Sequence, residues 1–140
     1  MEWVAEMAGI TFINDSKATN ADATSHALAA WNNIYWIVGG VAKEGGIEVL
    51  RPHFSRVKRA YLIGESEDVF AETFGGDVMY TKCQTLEHAV ARAAEDAMRE
   101  NAAGGVVMLS PACASFDQYK NFEARGDHFK QLVGQLKLAA

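Results

Sequence analysis

Short apolar runs alternate along this chain with segments of helical periodicity, and this alternation restricts the possible folds. The apolar runs predict strands at 2–5, 10–13, 34–38, 59–63, 78–80 and 106–109. Helices are predicted at 21–31, after a Thr85 cap, and from Asp127. Because strands joined through helices pair in parallel, we expect an α/β fold of three α/β/α layers with a mostly parallel sheet. The first two runs predict an antiparallel N-terminal hairpin.

Length and composition restrict the function classes. A chain of 140 residues fits one domain, and 49% hydrophobic residues with a net charge of −5 favour neither disorder nor a nucleic-acid partner. We interpret the basic cluster at 51–59 as a solvated surface. The sequence contains neither a signal peptide nor an apolar span, and its two cysteines and four histidines lack metal-type spacing. We therefore expect a cytoplasmic protein that neither contacts a membrane nor holds a metal ion.

The first polar segment, Asn-Asp-Ser-Lys-Ala-Thr-Asn at 14–20, follows a predicted strand and precedes a predicted helix. Backbone N–H groups and the helix dipole make such a loop favourable for an anion. Lys17 and the Thr19 hydroxyl would strengthen that preference. Alternatively, Thr19 and Asn20 only cap the helix while Lys17 points into water.

The second polar segment begins at Ser110, where another predicted strand ends. Pro111 stops strand pairing, so the small residues at 112–115 are expected to form a tight loop that a ligand can approach. Ser115 can donate or accept a hydrogen bond. The aromatic residues that follow, Phe116, Tyr119 and Phe122, could line a pocket, but their spacing favours a place in the core. Cys113 has no basic neighbour in sequence, which favours a buried, inert thiol over a nucleophile.

The glycine-rich stretch at 39–46 differs from a phosphate-binding loop, because Gly-Lys-Ser/Thr does not follow at the required spacing. We interpret it as a loop at a strand end that delivers Lys43 to a crevice; the alternative is a turn with an exposed Lys43. Since all three loops follow predicted strands, we expect them to meet at one edge of the sheet.

Three motifs carry a family resemblance that covers the chain nearly end to end. They are Phe-Ile-Asn-Asp-Ser-Lys-Ala-Thr-Asn at 12–20, Gly-Gly-x-x-Lys at 39–43, and Ser-Pro-Ala-Cys-Ala-Ser-Phe-Asp-Gln-Tyr-Lys-Asn-Phe-Glu-x-Arg-Gly at 110–126. In this order they resemble the C-terminal domain of the UDP-N-acetylmuramoyl-L-alanine:D-glutamate ligases, the MurD-type Mur ligases of peptidoglycan synthesis.

The resemblance implies a Rossmann-like domain and an ATP-dependent reaction. In that family ATP phosphorylates the carboxyl group of UDP-N-acetylmuramoyl-L-alanine, the amine of D-glutamate attacks the acyl phosphate, and Mg²⁺ serves the phosphates. The positions implied for D-glutamate are Thr19, Lys43, Ser115, Phe116 and Phe122. Those implied for the nucleotide side are Asp15 and Lys17.

The resemblance also implies that residues 1–140 form one domain of a longer enzyme, whose UDP-binding and central ATP-binding domains are not in this chain. We therefore assign no catalytic residue, and we expect the isolated chain to be inactive and to bind neither ATP nor Mg²⁺ tightly. Two alternatives stay open: a stand-alone amino-acid or nucleotide-binding module, and a folylpolyglutamate synthetase, whose motifs fit less well.

Overall fold

A six-stranded sheet forms the middle layer of this chain, whose computed structural model describes residues 1–100 and 103–136. The strands are β1 (Glu2–Met7), β2 (Ile10–Asn14), β3 (Ile34–Gly39), β4 (Val41–Ala42), β5 (Val57–Ile63), β6 (Tyr80–Gln84), β7 (Val106–Leu109) and β8 (Cys113–Ala114). The main sheet has the order β1-β2-β7-β3-β5-β6, and β4 pairs with β8 in a separate ribbon. Only β1 runs antiparallel to its neighbour in the main sheet. The predicted sheet, with its antiparallel N-terminal hairpin, is confirmed.

Helices cover both faces of this sheet. They are α1 (Ala21–Ala30), α2 (Glu67–Phe74), α3 (Leu86–Arg99) and α4 (Phe122–Gly134), with 3-10 helices at Glu48–Arg56 and Gly64–Ser66. One apolar cluster joins α1, the longer 3-10 helix and α2 to the sheet, and a second cluster joins α3 and α4 to the opposite face. None of the helices in the described ranges is long and apolar enough to cross a membrane.

Strand β3 shows how one segment serves both layers. Its side chains alternate, so that Trp36 and Val38 pack into the first cluster while Tyr35 and Ile37 pack into the second. All six of its residues are buried. An uninterrupted apolar run is typical of a parallel strand covered on both faces.

Polar caps fix the starts of three helices. Asn20 accepts a hydrogen bond from Ala23 N at 2.8 Å, Thr85 accepts from His88 N at 3.4 Å, and Asn121 accepts from Ala124 N at 2.8 Å. The last cap corrects the predicted start of the C-terminal helix, which begins at Phe122 and not at Asp127.

One further prediction of local structure is wrong, and two helical elements have no counterpart among the predictions. The strand expected at 78–80 lies at Tyr80–Gln84, where only Cys83 is buried, because an edge strand can keep a polar sequence. Helix α2 and the 3-10 helix Glu48–Arg56 were not predicted. The 3-10 helix contains Pro52, and a proline within a segment usually indicates that no helix forms there.

An ionic network joins β3 and β5 to the end of α3. Glu100 accepts from Tyr35 Oη at 2.7 Å and from Arg59 Nη2 at 2.6 Å. The hydrogen bonds from Arg59 and then Tyr35 lower the pKa of Glu100 to about 2. Because the pKa is depressed in the folded state, this contribution to stability is present above the ordinary value of 4.5 and is lost as pH falls through about 2.

We predict that Glu100→Gln lowers the free energy of unfolding at pH 7 by about 1 kcal/mol, a value that allows for solvent screening of the carboxylate. The difference from the unsubstituted chain should shrink between about pH 5 and pH 2, where Glu100 itself becomes protonated. Urea titrations across this range measure it. Glu95→Gln is the control, since its carboxylate is 70% exposed and lies 4.0 Å from Arg99. A difference in unfolding free energy between Glu100→Gln and the unsubstituted chain that stays constant from pH 7 to pH 2 would contradict the lowered pKa of Glu100.

Candidate functional site

The three predicted loops meet at one edge of the sheet. They follow β2, β7 and β3, which are neighbouring parallel strands, so all three leave the sheet at the same edge. Ala112 N donates to Ala18 O at 3.0 Å, and Gly39 N donates to Pro111 O at 3.0 Å. The expected gathering of loops is confirmed, with Thr19 and Ser115 on the same side of the molecule.

Ribbon β4–β8 holds the second and third loops together. Val41 pairs with Ala114 and Ala42 with Cys113. This close approach requires glycine at position 40, where φ is +138° and an added Cβ would lie 2.4 Å from Ala114 O. Lys43 and Ser115 each follow one strand of the ribbon. Lys43 is exposed, so its ammonium group is accessible to a ligand at this edge.

Ser115, one of the predicted ligand residues, has an unusual environment. It is only 2% exposed, and its Oγ has no hydrogen-bond partner among the described residues. Its carbonyl oxygen accepts from Gln118 N and Tyr119 N, at 3.1 and 2.8 Å, and these bonds close a tight turn. Leaving a buried hydroxyl without a partner costs free energy. A ligand that formed a hydrogen bond with Ser115 Oγ would remove this free-energy cost.

The loop after β2 presents a carboxylate that is held in one orientation. Asp15 is 6% exposed, and its Oδ2 accepts from Ser110 Oγ at 2.8 Å. Ser110 Oγ lies 3.0 Å from Thr24 Oγ1, so a chain of two hydroxyls supports the carboxylate. Lys17 is exposed and Thr19 is half-buried. Asn20 alone provides the side-chain cap of α1, which leaves the Thr19 hydroxyl for other use.

A buried arginine, to which the sequence analysis assigned no role, joins the loop after β2 to the segment after β7. Arg125, 1% exposed, donates through Nη2 to Ser16 O at 2.7 Å, through Nε to Ser16 Oγ at 2.9 Å, and through Nη1 to Cys113 O at 3.1 Å. Ser16 Oγ donates in turn to Phe122 O at 2.7 Å. Burial lowers the pKa of Arg125 to about 10, so it remains charged at neutral pH. Its place in the third motif was the available clue.

The aromatic side chains of the site correct a prediction. Phe116 is 72% exposed and Phe122 is 37% exposed, so the expected core positions for these two residues are wrong. Phe116 lies on the tight turn after Ser115, and Phe122 is the first residue of α4, where its ring borders a surface cleft. Tyr119 is half-buried and packs against the second apolar cluster.

Two clefts of about 300 Å³ flank the first loop. One lies against the start of α4 and is lined by Ser16, Lys17 and Phe122. The other lies against α1 and is lined by Asp15 and Lys17. Lys17 therefore lines both clefts, and Asp15 and Phe122 each line one. The remaining predicted ligand residues line neither cleft: Thr19, Lys43, Ser115 and Phe116.

Cys113 lies within the site as a buried thiol. It is fully buried in ribbon β4–β8, and burial raises the pKa of its thiol to about 12. The predicted burial of this thiol is confirmed, and its lack of reactivity stays a prediction. Within residues 1–100 and 103–136, no group of three or more His, Cys, Asp and Glu side chains could hold a metal ion.

Comparison with known proteins agrees with these motifs. A family model described as "Mur ligase, glutamate ligase domain" matches residues 1–113. Curated relatives named UDP-N-acetylmuramoylalanine–D-glutamate ligase are 54% identical over 94% of the chain in Paramagnetospirillum magneticum and 56% identical over 97% in Rhizobium etli. The relative from Agrobacterium fabrum is 56% identical over 98% of the chain.

The chain spans 29% of the length of each of these three relatives. It matches them as their C-terminal part, which confirms the resemblance drawn from the three motifs. The chain therefore belongs to the Mur ligase family, as a glutamate ligase domain.

Proposed function

We propose that this chain binds D-glutamate as the C-terminal domain of an ATP-dependent ligase that adds it to UDP-N-acetylmuramoyl-L-alanine in peptidoglycan synthesis. The observation that carries the proposal is Ser115 Oγ, a buried hydroxyl without a partner among the described residues, placed beside the Lys43 loop. The names of the relatives support the same substrates.

The chemistry of the site suits an amino acid with two carboxylates. The ammonium group of Lys43 and the hydroxyls of Thr19 and Ser115 can donate hydrogen bonds to carboxylate oxygens. Arg125 adds a buried positive charge between the first and second loops, and its hydrogen-bond acceptors are neutral oxygens of Ser16 and Cys113. In this proposal the exposed rings of Phe116 and Phe122 border the carbon chain of D-glutamate.

Asp15 and Lys17 are proposed to face the nucleotide. The Asp15 carboxylate is fixed by Ser110 and can accept from a hydroxyl, while Lys17 can approach a phosphate. ATP would supply the phosphoryl group that activates the substrate carboxyl, and Mg²⁺ would balance phosphate charge. No residue of this chain is assigned to Mg²⁺.

The proposed reaction forms one amide bond. The amine of D-glutamate attacks the acyl phosphate, inorganic phosphate leaves, and a proton is lost from the nitrogen. The described side chains orient the amine donor, and such positioning is worth several kcal/mol of barrier when both reactants are held. We place this reaction in the cytoplasm, which agrees with two free cysteines.

We predict that Ser115→Ala raises the KM for D-glutamate about tenfold to a hundredfold in the complete ligase, because one hydrogen bond to a charged group is lost. The KM for ATP should change less than about twofold. The same substitution should leave the thermal stability of the chain unchanged or raise it, since the buried hydroxyl has no partner to lose.

The matched control is Ser55→Ala, which removes an exposed hydroxyl from the 3-10 helix far from the loops. Steady-state kinetics and thermal unfolding of both variants test the assignment. A KM for D-glutamate that stays at the unsubstituted value in Ser115→Ala would refute it.

We predict further that the 140-residue chain folds alone but releases no phosphate from ATP. Positioning across an interface lowers the barrier only when the groups that bind the nucleotide are also present. The assay mixes the chain with ATP, Mg²⁺, UDP-N-acetylmuramoyl-L-alanine and D-glutamate, and compares phosphate release with a protein-free control. Turnover above the control would show that the chain itself holds the catalytic machinery.

A further inference from the structure

We propose that Asp117 is a positioning residue, whose carboxylate holds Ser115 and the Lys43 loop in the geometry that binds D-glutamate. This inference rests on the proposed function. Asp117 lies two residues after Ser115, within the tight turn closed by the Ser115 carbonyl oxygen. Its Oδ2 accepts from Glu65 N at 3.0 Å, across a sequence separation of 52 residues.

The space for this contact exists only because residue 64 is glycine. Gly64 has φ of +72°, and a Cβ added there would lie 2.2 Å from Asp117 Oδ2 and 3.0 Å from Gly40 Cα. The carboxylate therefore occupies the place that a side chain at residue 64 would fill. Such a contact is specific, because it needs glycine on one side and a short acceptor on the other.

The 3-10 turn Gly64–Ser66 also holds the other half of the site. Ser66 is buried, and its Oγ accepts from Gly40 N at 3.1 Å. Gly40 precedes β4 and therefore sets the start of the loop that carries Lys43. One turn at the end of β5 thus anchors both segments, through Asp117 on one side and Gly40 on the other.

Charge indicates that Asp117 acts through its neighbours rather than on the ligand. A carboxylate that contacted D-glutamate would repel its two carboxylates. Asp117 instead directs one oxygen at a backbone N–H group at the start of a helical turn, where a negative charge is favourable. Its effect on the ligand is to fix the positions of Ser115 and Lys43.

The test compares Asp117→Ala with Asp117→Asn in the complete ligase. Alanine removes the acceptor, so the KM for D-glutamate should rise about tenfold, as for the loss of one charge-assisted hydrogen bond. The KM for ATP should stay within about twofold. Asparagine keeps an oxygen of the same reach for Glu65 N and should restore the KM to within about threefold of the unsubstituted enzyme.

Asp68→Ala is the control, since it removes a carboxylate from the following helix, where the Asp68 side chain is 90% exposed and forms an ion pair with Lys82. It should change neither KM. Thermal unfolding of all variants is measured in parallel.

The proposal is overturned if Asp117→Ala binds D-glutamate as the unsubstituted enzyme does, if both KM values rise together with the loss of stability, or if asparagine fails to rescue. Ser115→Ala separates this result from failure of the proposed function. A raised KM for D-glutamate in Ser115→Ala with no effect of Asp117→Ala rejects only the positioning role, whereas no effect in Ser115→Ala rejects the D-glutamate site itself.

Discussion

The buried guanidinium of Arg125 is the interaction on which the arrangement of this site depends. Placing an arginine charge in a protein interior costs several kcal/mol unless hydrogen bonds compensate for lost hydration. Here three donors of one side chain reach Ser16 and Cys113, which belong to separate loops. Because the planar guanidinium fixes the angles between these bonds, it fixes the two loops relative to α4. The guanidinium of Arg125 therefore fixes the positions of both the loop proposed to face the nucleotide and the loop proposed to bind D-glutamate.

Strand order explains why those loops come together at all. Strand β7 lies between β2 and β3, and after β7 the chain passes to the face covered by α4. After β2 and after β3 it passes to the opposite face, covered by α1 and the longer 3-10 helix, so the direction reverses between β7 and each neighbour. In open α/β sheets this reversal opens a crevice at the carboxyl ends of the strands. Ribbon β4–β8 then narrows the crevice, because it ties the segment after β3 to the segment after β7.

Much of the fold could be predicted from the sequence where apolar residues dominate. The buried run of β3 and the capped start of α3 were both found from local patterns. Edge strand β6 was misplaced because it contains one buried residue, Cys83, and therefore has no apolar run. Helix α2 is short, and its stability depends on Phe70 and Phe74 packing against the sheet, a contact that sequence periodicity does not report.

The candidate site was predictable only in part, for a related reason. The motifs located the loops, and the exposed Lys17 and Lys43 agree with binding groups. The roles of Arg125 and Asp117 depend on contacts between residues far apart in sequence, and such contacts follow from topology rather than from local composition. The predicted core position of Phe116 was also wrong, because a spacing of three residues places side chains on one face only in a helix, and Phe116 lies in a tight turn.

The site combines features that each weaken a fold and together favour a ligand. Ser115 leaves a buried hydroxyl unsatisfied, and Arg125 buries a charge against neutral acceptors. Two apolar clusters on opposite faces of the sheet stabilise the domain against these costs. A negatively charged ligand would satisfy the hydroxyl and balance the charge at once.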